Sequence, residues 1–379
     1  MPLFTHPNPD LVVGPERQPR WNLAARRRAS FHGLQHVARY SQSYRAGRVL
    51  DLRVSADLAI PAREDLRGLT ALPWFSAMAV TEGNRLLHES YATDFGPDRP
   101  HSIMSISKLA MHLAVGRLWE EGKLGLDEQV GDILPWIGPG YRTATLQEVL
   151  DMNVHNTFDE DYANPDSAAF LREAAIGMRL PVGEELTSRG FLAGIGLVEG
   201  ARDSCNPTDT YLYKSANTDV LALVVEARGG RSLGLWLADL ADAAGVEAAL
   251  LIGTDRTGFP VFSGGMCLTA RDLCRYGAIL ARRGVGADGV PFGSAAFLTR
   301  TLGGGIPMPA PRAHLRYSNQ TNTEGIWVGH GGYGGQYLVA NPETGRTACF
   351  LSVLQNDSGF DADYYPPIIA MLAEICAAC

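Results

Sequence analysis

Residues 99–125 read RPHSIMSISKLAMHLAVGRLWEEGKLG, and the interpretation of this stretch decides the fold. The chain holds 33 Lys and Arg, yet its lysines are only Lys108, Lys123 and Lys214, and Lys108 stands three residues after Ser105. Ile106, Leu109, Ala110 and Leu113 recur at i, i+3, i+4 and i+7, which predicts an amphipathic helix over 107–121 that Gly122 can stop. Residues i and i+3 share a helix face, so the Lys108 ammonium can lie beside the Ser105 hydroxyl. At a helix N-terminus, Ser105 also sits where free backbone N–H groups can meet an oxyanion. A serine alcohol is a weak nucleophile until a base takes its proton. Lysine at its ordinary pKa of about 10.4 is neutral about once in a thousand at pH 7, so a lysine base must be pushed down to near 7, at a cost of roughly 4 kcal/mol. Burial in a domain cleft supplies that push.

Outward from this stretch, "WFSAMAVTEGNRLLHESYATDF" breaks at Gly83-Asn84 and predicts a β-hairpin. "NTDVLALVVEARGG" predicts a helix with Asp219 in its first turn and Gly229 as stop, and "RSLGLWLADLADAAG" predicts another. Strand signals return near Ser263. Thr269 then opens a helix in which Thr269 and Asp272 have capping-box spacing. "GHGGYGGQYLVANPETGRTACFLSVLQN" predicts two strands joined at 342–345. The order of strands, helices, strands and a final helix predicts an α/β (α+β) fold, an antiparallel sheet flanked by helices with a mostly helical domain inserted. We place the sheet domain at 61–124 and 251–379, the helical domain at 125–250, and residues 1–60 as an extension packed on the sheet domain. The active site is expected in the cleft between the domains.

With 379 residues at 46% hydrophobic, the chain can bury a large core, and a net charge of −8 gives no nucleic-acid footprint. The single basic run, Arg26-Arg27-Arg28, is expected to be a solvated face. No signal-peptide core or membrane-length apolar run is present, and six scattered cysteines suit a reduced, cytoplasmic protein. The terminal "EICAAC" could be a zinc half-site or a prenylation box, but neither has its usual companions. Residues 367–379 are expected to form a buried helix instead. No metal or other cofactor is needed for the chemistry expected at Ser105. The expected partner is a small-molecule amide or ester, with no nucleic acid and no membrane, and a homodimer is compatible with the sequence.

Two further segments converge with Ser105-Ile106-Ser107-Lys108. "YLYKSANTDVL" sets Tyr213, Ser215 and Asn217 just before a helix, where polar side chains can orient a lysine and a phenol can relay a proton. "GHGGYGG", from Gly329, lets backbone approach a ligand closely. Ser-x-x-Lys alone arises by chance in about one chain in five with three lysines. The three boxes in this order resemble the penicillin-recognising serine hydrolase superfamily. The likeness is to its class C β-lactamase and esterase branch, where the boxes become Tyr-x-Asn and His-x-Gly. Within that branch the chain is most similar to the 6-aminohexanoate-dimer (nylon-oligomer) hydrolases, through "MSISK", "VLDM", "EDY", "SANTDVLA", "TGF" and "TARDL".

The resemblance implies a β-lactamase/transpeptidase-like fold and an acyl-enzyme on Ser105, with Lys108 as base and Tyr213 as proton relay to the leaving group. It implies an oxyanion hole from the N–H groups of Ser105 and Tyr333, the latter following His330-Gly331-Gly332. Tyr162 corresponds to a tyrosine that contacts the scissile amide, and Ser215 and Asn217 to supports of Lys108 and Tyr213. His330 is a candidate for recognising a substrate carboxylate, and Tyr162, Trp327 and Tyr333 are expected to line the pocket. There are departures. Ser215 stands where the wider branch has Asn, and the segment after "EDY" shows neither the acid nor the tryptophan of the nylon enzymes in register. The expected function is hydrolysis of a small amide or ester. The rivals are an acyltransferase or amide synthase using the same acyl-enzyme, and a non-catalytic binding module on this fold. A nucleotide site at "GIGLVEG" is rejected because its surroundings are helical.

Overall fold

The computed structural model describes residues 21–162, 164 and 166–378. Residues 1–20 of the expected extension and Cys379 of the CAAC end lie outside them. The Gly83-Asn84 break is a two-residue hairpin loop between strands Phe75–Glu82 and Arg85–Tyr91, with Gly83 at φ 59°. Such loops need positive φ, which glycine adopts without a Cβ penalty. The hairpin belongs to a nine-stranded sheet. Beyond Phe75–Glu82 come Arg346–Ser352, Gln336–Ala340 and Val328–Gly332, each antiparallel to the last. Short strands Thr321–Thr323, Arg316–Ser318 and Ile306–Pro307 complete that side. On the other edge, Arg53–Val54 pairs in parallel with Arg85 and Leu86.

The central strands are apolar on both faces because both faces are covered. Ala77, Ala79, Cys349 and Leu351 join the core beneath helix Ala270–Ala281. Met78, Val80, Ala348 and Phe350 join the core beneath helix Tyr365–Ala377. Period-two alternation sends neighbours to opposite sides, and each large apolar side chain so buried contributes about 1.5–3 kcal/mol. Cys376 is fully buried on the second face, with its thiol near the Val339 carbonyl.

Between residues 126 and 249 the elements are helices: Val130–Ile133, Pro139–Arg142, Leu146–Leu150, Ala168–Ala175, Ser188–Ala193, Ser215–Gly229 and Leu233–Ala244. Their apolar side chains are continuous with the core under Ala270–Ala281. A small second sheet, unforeseen from the sequence, runs Tyr40–Tyr44, Leu250–Thr254, Met266–Leu268, His101–Ser102. Its last strand ends three residues before Ser105 and fixes the approach to it.

Several local expectations are corrected. The helix expected over 107–121 is a 3₁₀ turn, Met104–Lys108, running into an α-helix, Leu109–Glu120. The segment 328–352 is three strands, because Gly334 and Gly335, at φ 92° and 105°, turn the chain once more. The Asp219 helix starts at Ser215, so Asp219 lies beyond its first turn, and the left-handed stop is Gly230. Thr269 caps its helix by accepting from the Asp272 N–H, but the Asp272 carboxylate accepts from Glu247 N and Ala248 N instead of closing a capping box. Arg27 of the basic run is wholly buried, on the inner side of helix Ala24–Phe31, and Arg28 pairs with Asp94. Among the described residues no helix is long and apolar enough to cross a membrane.

Candidate active site

Ser105 sits in a turn that the chain holds against its preference. Met104 has φ 47°, a left-handed conformation that costs a non-glycine residue about 1–2 kcal/mol. The middle serine of the motif secures it. Ser107 Oγ donates to the Met104 carbonyl at 2.7 Å and accepts from the Met266 N–H at 3.1 Å, tying the turn to the small sheet. From the other side Gly332 presses on the same turn: a Cβ there would lie 2.4 Å from the Ile103 carbonyl oxygen. A glycine is required for that approach.

The turn brings the first two boxes together. Lys108 Nζ lies 3.1 Å from Ser105 Oγ, 3.0 Å from Ser215 Oγ and 2.6 Å from the Ser263 carbonyl oxygen. Tyr213 donates its hydroxyl to Ser105 Oγ at 2.8 Å, and its ring lies 5.0 Å from Lys108 Nζ. Lys108 is 0% exposed. Burial pushes its pKa down to about 7 against the pull of Glu160, with the Arg172 charge adding to the depression and Asp219 opposing it. A neutral amine donates to Ser263 O and Ser215 Oγ and keeps its lone pair for the Ser105 proton. Burial holds the Tyr213 phenol above its ordinary pKa, so it stays protonated at neutral pH.

Ser105 opens into a cavity of about 710 Å³. One wall is apolar, from Trp21, Met104, Phe170, Ile176, Met178 and Val261. Tyr211, Tyr317, Asn322, His330 and Arg312 bring polar groups to the lining. Tyr162 borders the cavity at 45% exposure, with its hydroxyl 3.4 Å from Glu160 Oε1. Ser215, Gly332 and Tyr333 also line it. Among the described residues no group of three His, Cys, Asp or Glu side chains is arranged to hold a metal ion.

Three expected site residues sit elsewhere or differently. Asn217 touches neither Lys108 nor Tyr213. It accepts from the Tyr141 hydroxyl at 2.7 Å and donates to the Val149 carbonyl at 3.1 Å, locking its helix to its neighbours Pro139–Arg142 and Leu146–Leu150. Trp327 is absent from the cavity wall; fully buried under the sheet, it packs near Tyr337 and donates to Glu324. His330 borders the cavity but is committed, with Nδ1 2.6 Å from the Gly331 carbonyl and Nε2 3.2 Å from the Tyr317 hydroxyl. Burial and the Lys108 charge lower its pKa to about 3, so the ring is neutral and brings no cation to a carboxylate.

Other residues were not visible as site residues. Ser263 acts through its carbonyl, which no side-chain pattern announces. Its hydroxyl accepts from Arg172, which also pairs with Asp219 at 2.7 Å. Glu160 accepts the Ser215 N–H at 2.6 Å, and its place in "EDY" was the available signal. An acid and a tryptophan do reach the pocket. Glu173 comes from helix Ala168–Ala175, and Trp21 from the N-terminal segment instead of the loop after "EDY".

Known proteins share stretches of this sequence and its fold. The chain is 33% identical over 235 residues to the 6-aminohexanoate-dimer hydrolase of Paenarthrobacter ureafaciens. That match takes in 60% of this chain and 57% of the relative's length. A Bacillus anthracis protein provisionally named 6-aminohexanoate-dimer hydrolase superposes with TM-score 0.78 at 18% identity, covering 98% of this chain and 97% of that one. A D-stereospecific amidohydrolase from Streptomyces sp. gives TM-score 0.58 at 17% identity over 85% and 100% of the two chains. At such identities the structural likeness is one of fold. The β-lactamase family model matches residues 75–369, well over half of the chain and all three boxes of the site. The chain belongs to the β-lactamase family.

Proposed function

We propose that this protein is a serine hydrolase that cleaves an amide or ester of a small molecule through an acyl-enzyme on Ser105. One observation carries the reading: Ser105 Oγ is held at 3.1 Å from a dry lysine and 2.8 Å from a phenol, at the floor of a ligand-sized cavity. Neutral Lys108 accepts the Ser105 proton as Oγ attacks the substrate carbonyl carbon. Oxyanion charge develops beside the Ser105 and Tyr333 N–H groups; one such donor is worth about 10²–10³ in rate. The proton on Lys108 then reaches the leaving nitrogen or oxygen by way of Tyr213, whose own proton moves on as it receives another. Water repeats the sequence on the acyl-enzyme and releases the acid.

The substrate reading draws on the walls. The apolar wall suits an aliphatic or aromatic acyl chain. Glu173, whose Oε2 accepts from Arg179 at 3.0 Å and whose pKa is raised by burial, brings a hydrogen-bonding carboxyl group to the lining. An amino-terminated acyl chain, as in the dimer named for the Paenarthrobacter relative, is therefore within the proposed class.

Intact-protein mass after brief mixing with a p-nitrophenyl acyl ester tests the mechanism. An acyl adduct and a burst of nitrophenol are expected from the native protein and absent from Ser105→Ala. An adduct that persists in Ser105→Ala overturns the assignment. A panel of amines added to the acyl-enzyme then separates hydrolysis from acyl transfer: free acid as the main product supports the hydrolase, and amide as the main product replaces it with an acyltransferase.

A further inference from the structure

Arg27 is a fully buried cation with no carboxylate in ion-pair reach among the described residues. A guanidinium taken out of water without a counter-ion is costly, and it persists only where its hydrogen bonds are all made. Here all but one are made to backbone. Nη1 donates to Leu354 O at 2.6 Å and Asn356 O at 2.8 Å, and Nη2 to Asp357 O at 3.2 Å. Nη2 and Nε also bind Asn22 through its carbonyl at 2.8 Å and its Oδ1 at 2.7 Å.

The segment gripped this way continues into Ser358, whose carbonyl accepts the Tyr333 hydroxyl at 2.6 Å, with Asn22 Oδ1 3.0 Å from the same hydroxyl. The packing around that ring is tight. Gly359, at φ 66°, would put a Cβ 2.1 Å from the Tyr333 hydroxyl oxygen, and Gly334 would put one 2.7 Å from Phe31. The Arg27 guanidinium carbon lies 5.7 Å from the Tyr333 ring centre, and Phe31 packs on the same ring at 6.3 Å. Trp21, Asn22, Tyr333 and Ser358 all border the cavity. Arg27, Asn22 and Phe31 lie before residue 75, where the family match begins.

We propose that Arg27 is a positioning residue of the active site: with Asn22 it braces the 354–358 segment against the Tyr333 side chain and thereby holds the Tyr333 N–H at the oxyanion position. The proposal rests on the acyl-enzyme reading above. An oxyanion donor works only within about 2.7–3.1 Å of the developing charge, and a misplacement of about 1 Å can cost 10²-fold in rate. Neither Arg27 nor Asn22 needs to touch the reacting atoms.

The test compares a p-nitrophenyl ester with its thiono analogue, in which sulfur replaces the carbonyl oxygen and draws little from an N–H pair. Arg27→Gln is expected to slow acylation by the oxo ester about 100-fold and Tyr333→Phe about 10-fold. The substrate dissociation constant read from single-turnover acylation and the thiono rate are expected to stay within about 2-fold. Equal losses on both esters would mean a general structural role and overturn the proposal, as would full oxo-ester activity in folded variants. Should Arg27→Gln fail to fold, Tyr333→Phe and Asn22→Ala decide by the same ratio. Failure of the native protein to acylate Ser105 overturns the functional reading and this inference with it. Acylation with unchanged oxo-to-thiono ratios in the variants overturns the brace alone.

Discussion

Lys108 and Lys214 are both lysines taken out of water, yet only one faces a serine hydroxyl. Burial lowers the first to about 7 and the second to about 8, and Glu160 opposes the shift in both. Lys214 donates to the Phe158 carbonyl and stands outside the cavity wall. Lys108 has Ser105 Oγ at 3.1 Å, with Ser215 and Ser263 taking its other protons. Desolvation therefore makes a lysine neutral near pH 7, while the set of acceptors decides whether its lone pair has work.

That contrast can be broken most severely at Ser105 and Lys108. Ser105→Ala and Lys108→Met are each expected to remove the acylation burst, a loss of about 10⁴-fold or more, while Lys214→Met stays within a few-fold of native. Stopped-flow nitrophenol release measures all three. An equal loss in Lys214→Met would erase the distinction between the two lysines. Tyr213→Phe keeps the ring beside Lys108 but removes the proton carrier. It is expected to cost about 10²–10³-fold in kcat on an amide and less on a nitrophenyl ester, whose leaving group needs no proton.

The pH dependence sharpens the comparison further. Acylation needs neutral Lys108, so kcat/KM is expected to rise with pH and level off above an apparent pKa of about 7. Lys214→Met is expected to leave that midpoint in place. Stability follows the same group. The unfolded chain holds the Lys108 proton up to about 10.4 and the folded site only to about 7. Between those values the unfolded state binds more protons, so this group makes stability rise with pH, and its full cost is present below 7. Lys108→Met should raise the Tm at pH 7 by several degrees, an advantage that shrinks toward pH 10 in thermal melts. Smallest in its effect on chemistry is Asn217→Ala. Losing two buried bonds should cost about 1–3 kcal/mol in denaturant unfolding while leaving the pH midpoint unchanged.

Legibility in the sequence followed the kind of interaction involved. The Gly83-Asn84 hairpin, the two-faced helical cover and the Ser-x-x-Lys pair were readable because turn chemistry, hydrophobic period and a reactive dyad all act over a few residues. Asn217 was misplaced because a motif gives neighbours in sequence, and its partners Tyr141 and Val149 are more than 65 residues away. Ser263 escaped because carbonyl oxygens are common to every residue. The basic run misled for a related reason. A run of charges says nothing of the helix phase that turns Arg27 inward while Arg26 stays exposed. The small sheet, which needs Tyr40–Tyr44 to meet Leu250–Thr254, lies beyond any local pattern.

The Arg27–Leu354 bond joins residues 327 positions apart. Helix Ala24–Phe31 can bond Asn22, Trp74 and Phe75 early, but the 354–357 carbonyls that hold Arg27 reach it only after more than 300 further residues have been made. Contacts of such separation form late and slowly, because the loop between them must close first. Chains interrupted before residue 354 would carry Ser105, Lys108, Tyr213 and Tyr333 with the brace on the cavity wall undone. Full activity would then wait for helix Ala24–Phe31 to meet the 354–358 segment.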